Sequence, residues 1–477
     1  MRVLIVPELY RPDDATANGT LNDATVWVEE WLDIDPDLHV YWLLSPPEVA
    51  NYDPEYVLAD RERVTLIEAE PFMHGRRHQN AFTESGYSEE QLEALAGATY
   101  DQLGYVDVVI DQLRRGRADL GKWLFALDGH RVGQPWPVDI VTNVHDLQLP
   151  FKYADTGWRD EFQRHTEIAD AVLSDGMWFK AAVDWEGLRE EGHEFMRESV
   201  VDSALDDAVQ TGSPIDFSQF EADYADEPRY LHVAGSAWDK KQVGTVMGIA
   251  EMLHDRFGIE TVMTSMGKIP AEYTDLPWVE AYPKASRREF EEALRKGDLC
   301  ISATEYETLA RTWFEQAGSG QVLIARNQPW IYDAIPRDYE LAGTIDELPD
   351  LAVRAVEHWD EATDEARRML DYAKGIRDPE QSGQRTYDDM ADRVAAKVEA
   401  YDPDANDAAV GRTLEAAADE AGRIPLDELN RESAAFTDDG EPILAGDCAL
   451  SEVVFALRRR GYADTGSAGT PVFEKRE

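Results

Sequence analysis

Cysteine is nearly absent from the 477 residues, with only Cys300 and Cys448 present. Two thiols far apart in the chain support neither a disulfide framework nor a thiolate metal site. Long apolar runs are missing as well. None approaches the roughly 20 residues that span a bilayer, and the start, MRVLIVPELY, lacks the basic region and long apolar stretch of a secretory signal. A cytoplasmic protein is expected. No Gly-x-Gly-x-x-Gly follows the first expected strand, which disfavours a dinucleotide-dependent oxidoreductase. No Asp-x-Asp stands at the end of a strand to hold a metal between phosphates, so neither a metal nor a cofactor is expected. Basic residues are scarce, 46 against 96 acidic ones, and the net charge of −50 is spread along the chain instead of sitting in one tail. That pattern suggests a halophile's surface, since molar salt shortens the Debye length to about 3 Å and screens self-repulsion. The plainer alternative is a mesophile with an acidic surface. In both cases the charge concerns solvent and not fold.

What is present is enough apolar residue, 43%, for a sizeable core, in a chain too long for one ordinary domain. Short β-rich runs alternate with helical stretches. Strands are expected at Arg2 to Pro7, His39 to Leu44, Val64 to Ala69, Val106 to Asp111, Val138 to Val144 and Ala171 to Ser174, with helices over Asn22 to Leu32 and Glu161 to Ala169. The polar stretch TGSPIDFSQFEADYADEP, Thr211 to Pro228, reads as a hinge, after which the rhythm restarts. Strands are expected at Tyr230 to Ala234, Glu260 to Ser265, Trp278 to Tyr282, Leu299 to Ala303 and Val322 to Ala325. Helices are expected over Lys241 to Phe257, Ser286 to Lys296 and about Ala310 to Ala317, with two more between Ile345 and Lys374. A βαβ rhythm of this kind predicts α/β architecture: two Rossmann-like, doubly wound domains, residues 1–212 and 228–385, with ligands at the carboxyl ends of the strands. A terminal helix, 386–402, ends at Asp402-Pro403-Asp404. Residues 405–477 change character, with helices near Ala408 to Ala421, Leu426 to Glu432 and Leu450 to Arg460 and then the hairpin-like ADTGSAGTPVFEKRE. They resemble a small winged-helix module.

The most informative stretch is Asp298 to Ala325, DLCISATEYETLARTWFEQAGSGQVLIA. A buried strand ends, a loop carries Glu307, a helix begins, and Glu315 falls eight residues later. The first carboxylate thus stands at the strand mouth and the second about two turns into the helix. The helix amino terminus between them offers unpaired N–H groups to an anion. In YLHVAGSAWDKKQVGTVMGIAEML, Lys240 and Lys241 are two of few lysines and stand at the start of a helix. A solvated basic helix start is one explanation.

These segments resemble the retaining GT-B glycosyltransferases of family 4, whose Glu-x7-Glu signature is typically written YEGFGLPVLEAMACGTPVV. Tyr306, Glu307, Glu315, Gly320 and Val322 to Ala325 fall in that register. The resemblance implies that Glu307 contacts the donor sugar hydroxyls and takes part in catalysis, that Glu315 contacts the ribose hydroxyls, and that Thr308, Leu309, Gly235, Lys240 and Lys241 complete the donor site. DIVTNVHDLQLP resembles the segment that related enzymes place at the interdomain cleft, where His145 would face donor and acceptor as a catalytic residue. A strand-capping His with no chemistry is the alternative. Asp146 would orient that turn and join the acceptor site with Gly19 and Thr20, which are what remains here of a glycine-rich acceptor loop. Ile215, Asp216 and Phe220 fit the family's linker. Retention of anomeric configuration is inherited from the resemblance. The implied donor is a nucleotide-diphosphate sugar and the acceptor a glycan, lipid or small molecule.

Two other readings come from particular residues. Arg458, Arg459 and Arg460, with Lys475 and Arg476, make a basic cluster in an acidic chain. It could bring the enzyme to DNA carrying a hydroxylated base, or serve a small docking or dimerisation domain. Ser236, Thr308 and Ala310 stand where the family has Arg and two glycines, which motivates a nucleotide-sugar-binding protein without turnover.

Overall fold

The computed structural model describes residues 1–7, 19–44, 57–68, 105–112, 139–144, 176–179, 189, 193, 197–206, 208–234, 241–304, 311–327, 334–400, 423–425, 454, 457–466 and 471–476. A first sheet contains β1 (Arg2–Val6), β2 (His39–Leu44), β3 (Val64–Glu68), β4 (Val108–Asp111), β5 (Asp139–Val144), β6 (Gly176–Phe179) and β7 (Ala208–Gln210). Its order is β3-β2-β1-β4-β5-β6-β7, and every pairing is parallel. A second sheet contains β8 (Tyr230–Ala234), β9 (Glu260–Ser265), β10 (Val279–Pro283), β11 (Leu299–Ser302), β12 (Val322–Arg326) and β13 (Ala342–Gly343). It repeats the pattern as β10-β9-β8-β11-β12-β13, again all parallel. In both, strand order reverses beside the first strand, which opens a crevice at the carboxyl ends of the strands.

The strands with continuous apolar runs, such as RVLIV and LCIS, are buried along their length, as parallel sheets covered on both faces require. The helices are α1 (Gly19–Ile34), α2 (Glu198–Asp206), α3 (Val243–Phe257), α4 (Ala271–Thr274), α5 (Arg287–Lys296), α6 (Arg311–Gly318), α7 (Leu348–Glu357), α8 (Trp359–Ile376) and α9 (Pro379–Ala400). Most expected elements lie within two residues of those observed. The terminal helix differs, because α9 begins at Pro379 instead of residue 386: Pro is well placed in a first helical turn, where its missing N–H costs nothing. Strand β6 is described over Gly176–Phe179, just beyond the expected Ala171 to Ser174, which lies outside the described residues together with Glu161 to Ala169. The helices expected at Ala408 to Ala421 and Leu426 to Glu432 also lie outside them.

Helix α9 crosses back from the second sheet and packs on α1. The buried indoles of Trp27, Trp31 and Trp178 cluster edge to face and in a stack beneath this crossing. Each indole N–H donates to α9: Trp27 to Ser382 Oγ at 2.8 Å, Trp31 to Thr386 Oγ1 at 2.8 Å, and Trp178 to Asp389 Oδ2 at 2.7 Å. The helices approach closely at Gly383, where a Cβ would lie 2.3 Å from Glu30 Cβ.

The hairpin anticipated at the carboxy terminus is present as β15 (Tyr462–Asp464) and β16 (Val472–Lys475), joined by β14 (Arg423–Pro425) into an antiparallel sheet of order β14-β16-β15. It docks at the amino ends of the first sheet's strands, away from the crevice. Arg2, fully buried in β1, donates to Asp464 at 2.6 Å and to Tyr41. Arg458 holds Asp107, to Oδ2 at 2.7 Å, and its side chain is only 14% exposed. Arg476 pairs with Asp37. Two arginines of the expected basic cluster are therefore committed inside the chain. Among the described residues no helix is long and apolar enough to cross a membrane.

Two predictions follow from this packing. Gly383→Ala places a Cβ against the root of the Glu30 side chain and is expected to cost about 1–3 kcal/mol in urea denaturation, despite alanine's better helix propensity. His39 and His232 are both buried, and burial first, with Arg2 nearby for His39, holds each imidazole down to about 4. Unfolding returns them to about 6.5 and takes up protons, so stability is expected to fall as pH drops from 6.5 toward 4. The urea midpoint should be lower at pH 5 than at pH 7.5 in the same salt, and the difference should shrink in His39→Gln.

Candidate functional site

Helix α6 carries the carboxylate at the centre of the site. Its Trp313, Phe314 and Ala317 are buried against the second sheet. The helix closes through Gly320, whose φ of +83° suits only glycine, and a Cβ there would meet the Asp223 carbonyl at 2.6 Å. Gly318 lets Phe217 and Phe220 of the segment linking the sheets lie against the helix, a Cβ meeting their side chains at 3.2 and 3.1 Å. Glu315 is thereby held 6% exposed on a helix otherwise anchored by apolar residues.

Above it lies a cavity of about 140 Å³ lined by Thr264 and Ser265 at the carboxyl end of β9, Met266 beyond it, Ala285 and Ser286 before α5, Arg287 and Phe290 on α5, and Arg311, Thr312 and Glu315 on α6. Asn22 of α1 closes it from the first sheet's side. This is the crevice position that the parallel order of the second sheet dictates. The first turn of α5 is fixed by a capping box between Ser286 and Glu289, in which Ser286 N–H donates to Glu289 Oε2 at 2.7 Å and Ser286 Oγ accepts from Glu289 N–H at 3.3 Å. Arg287 is steered by Glu291, 2.8 Å from its Nε, and lies over the Phe290 ring at 5.6 Å.

Glu315 Oε1 accepts from Arg287 Nη1 at 3.0 Å, and Arg311 Nε lies 3.8 Å away. Among the described residues no donor reaches Oε2, so one carboxylate oxygen is left for a ligand hydroxyl. Two guanidinium groups and the Glu315 carboxylate line the cavity, and from outside it Glu291 pairs with Arg287 and Asp23 with Arg311. Behind the wall, buried His232 accepts at Nδ1 from Gln321 Nε2 at 3.1 Å and donates from Nε2 to Thr264 Oγ1 at 3.0 Å, which fixes a cavity residue from beneath.

Of the residues singled out in the sequence, Glu315 lines this cavity. Gly19 and Thr20 open α1, whose Asn22 reaches it. Lys241 is half-buried in the turn before α3 and is not among the lining residues. His145, Asp146, Gly235, Lys240, Glu307, Thr308 and Leu309 lie outside the described residues. Sequence reasoning missed Arg287, Arg311, Asn22 and Asp23. Arg311 carried one usable signal, its i,i+4 spacing to Glu315. Arg287 carried none, because the rest of α5 and all of β11 separate it from Glu315 in the chain.

No family model matches the chain, and no curated protein matches it in sequence. Solved structures do share its fold. Sucrose-phosphate synthase from Thermosynechococcus elongatus superposes with a TM-score of 0.58 at 14% identity over 83% of this chain and 99% of its own. Anabaena HepE, solved with UDP and glucose, gives 0.55 at 10% identity over 82% and 100%. Trehalose-6-phosphate synthase OtsA gives 0.54 at 12% identity over 82% and 99%. The parallel-sheet α/β architecture resembles that of the GT-B glycosyltransferases.

Arg287→Gln leaves buried Glu315 with only the more distant Arg311 as a counter-charge among the described residues. It is expected to lower stability by about 1–3 kcal/mol, read as a lower urea midpoint at constant m.

Proposed function

We propose that this chain is a glycosyltransferase that moves a sugar from a nucleoside-diphosphate sugar to an acceptor hydroxyl, with retention of configuration and without a metal. The observation that carries this reading is the crevice at the carboxyl ends of the second sheet, where buried Glu315 keeps one oxygen open between two arginines. Its fold is shared with proteins such as HepE, whose structures hold UDP, glucose and UDP-glucose. The open oxygen suits a ribose hydroxyl, and Arg287, Arg311, Lys240 and Lys241 supply positive charge for the diphosphate. Electrostatic stabilisation of a leaving group requires donors preorganised in this way.

Residues 1–212 and 228–385 act as acceptor and donor domains. Glu307 holds the sugar hydroxyls, and His145 faces the sugar and acceptor, with Asp146, Gly19 and Thr20 on the acceptor side. In the transfer the bond from the anomeric carbon to the diphosphate oxygen breaks and the acceptor oxygen bonds that carbon. The acceptor's proton passes to the departing diphosphate on the same face. The carboxy-terminal appendage, residues 405–477, is assigned a docking role, because Arg458, the most enclosed member of its basic cluster among the described residues, is engaged by buried Asp107.

Release of nucleoside diphosphate from a panel of nucleotide sugars tests the assignment. Glu315→Ala is expected to weaken the donor's apparent affinity about 10- to 100-fold, the worth of a hydrogen bond to a charged group, while Glu307→Ala lowers turnover. Binding without release across the panel would point instead to a nucleotide-sugar-binding protein. Unchanged kinetics in both variants would remove the assignment of the site.

A further inference from the structure

Arg311 is the residue at which the cavity, the linker and the first sheet meet. Its Nη1 donates to Asp23 Oδ1 of α1 at 2.7 Å and to the Pro214 carbonyl of the linker at 3.2 Å. Asp23, almost wholly buried, also accepts from Ser213 Oγ at 2.6 Å. The opposite edge of the guanidinium faces Glu315, with Nε 3.8 Å from Oε1. That Nε is buried and has no hydrogen-bond partner among the described residues. Among the described residues the halves are also joined at the chain crossings, where Ile215 N–H donates to the Arg377 carbonyl at 3.1 Å and Ser382 Oγ to the Thr211 carbonyl at 2.6 Å. Asp23–Arg311 stands apart from these as an ion pair made directly between α1 and α6, beside the cavity.

We propose that Arg311 is a positioning residue that couples occupancy of the cavity to the placement of the two sheets, through Asp23. The coupling rests on the nucleotide-sugar reading of the site. A ligand hydroxyl set between Arg311 Nε and Glu315 accepts from the first and donates to the second. It satisfies the buried donor and fixes the plane of the guanidinium whose other edge grips Asp23. Coupling between the two contacts is reciprocal: whatever the ligand adds to the Asp23–Arg311 contact, that contact adds to the ligand's affinity.

The test is a double-mutant cycle on the full chain of 477 residues at one salt concentration, with UDP-glucose as probe. Affinity is read by calorimetry, and the radius of gyration by X-ray scattering with and without probe. Asp23→Asn and Arg311→Lys are each expected to weaken binding roughly 5- to 150-fold and to abolish the ligand-induced contraction expected of the parent. The double variant is expected to be no weaker than the worse single one, because one connection is removed once. Arg311→Lys keeps a cation beside Asp23, so it remains informative if Asp23→Asn does not fold. Wild-type affinity and contraction in both single variants, or strictly additive losses in the double variant, would overturn the coupling while leaving the nucleotide-sugar reading intact. Failure of the parent chain itself to bind the probe would overturn both.

Discussion

Three indole N–H groups buried beneath α1 each need an acceptor, and α9 supplies all three from Ser382, Thr386 and Asp389. An unpaired buried donor costs about 1–3 kcal/mol, so α9 has one stable seat. With α9 seated, the two chain crossings lie side by side, and the linker reaches α6 closely enough for Phe217 and Phe220 to cover Gly318. The crevice over Glu315 and the contact between Asp23 and Arg311 both follow from that placement.

The same economy governs the arginines. In a chain with 96 acidic and 46 basic residues, the buried cations hold separate parts of the chain together. Arg2 and Arg458 fasten the carboxy-terminal hairpin to the amino ends of the first sheet through Asp464 and Asp107. Arg287 and Arg311 converge on Glu315 from α5 and α6. A buried ion pair adds little net stability over a well-packed apolar pair, but losing one partner is expensive. Such pairs therefore select one arrangement more than they strengthen it. The first group fixes the appendage away from the crevice, and the second shapes the crevice itself.

Much of this architecture was legible beforehand, because short apolar runs such as Arg2–Val6 and Leu299–Ser302, alternating with helical stretches, suit strands buried on both faces of a parallel sheet. The strand β8, the helix α3 and the helix α6 fall within two residues of their expected limits. Glu315 was also legible, as a carboxylate on a helix that follows a buried strand. Arg287 was not, since it is 28 positions away from Glu315, with α5 and β11 between them in the chain. Nor was the early start of α9, because the residues Pro379 to Tyr387 carry few apolar side chains to mark a helix. What holds them helical is the hydrogen bonding of Ser382 and Thr386 to tryptophans about 355 positions earlier.

By itself, then, the sequence determined the periodicities: two successive βαβ units, their breaks at the polar linker, the hairpin at the end, and the carboxylate placed at a helix that opens toward an anion. These are local properties, set by side-chain burial over a few residues and by backbone groups left unpaired at helix starts. Tertiary structure alone decided which charges meet. Asp23 with Arg311, Arg287 with Glu315 and Arg2 with Asp464 are pairs across long stretches of chain, and among so many acidic residues no spacing rule selects the partner. The choice is made by desolvation: of all the carboxylates available, only those carried into a closed interior must find a cation there.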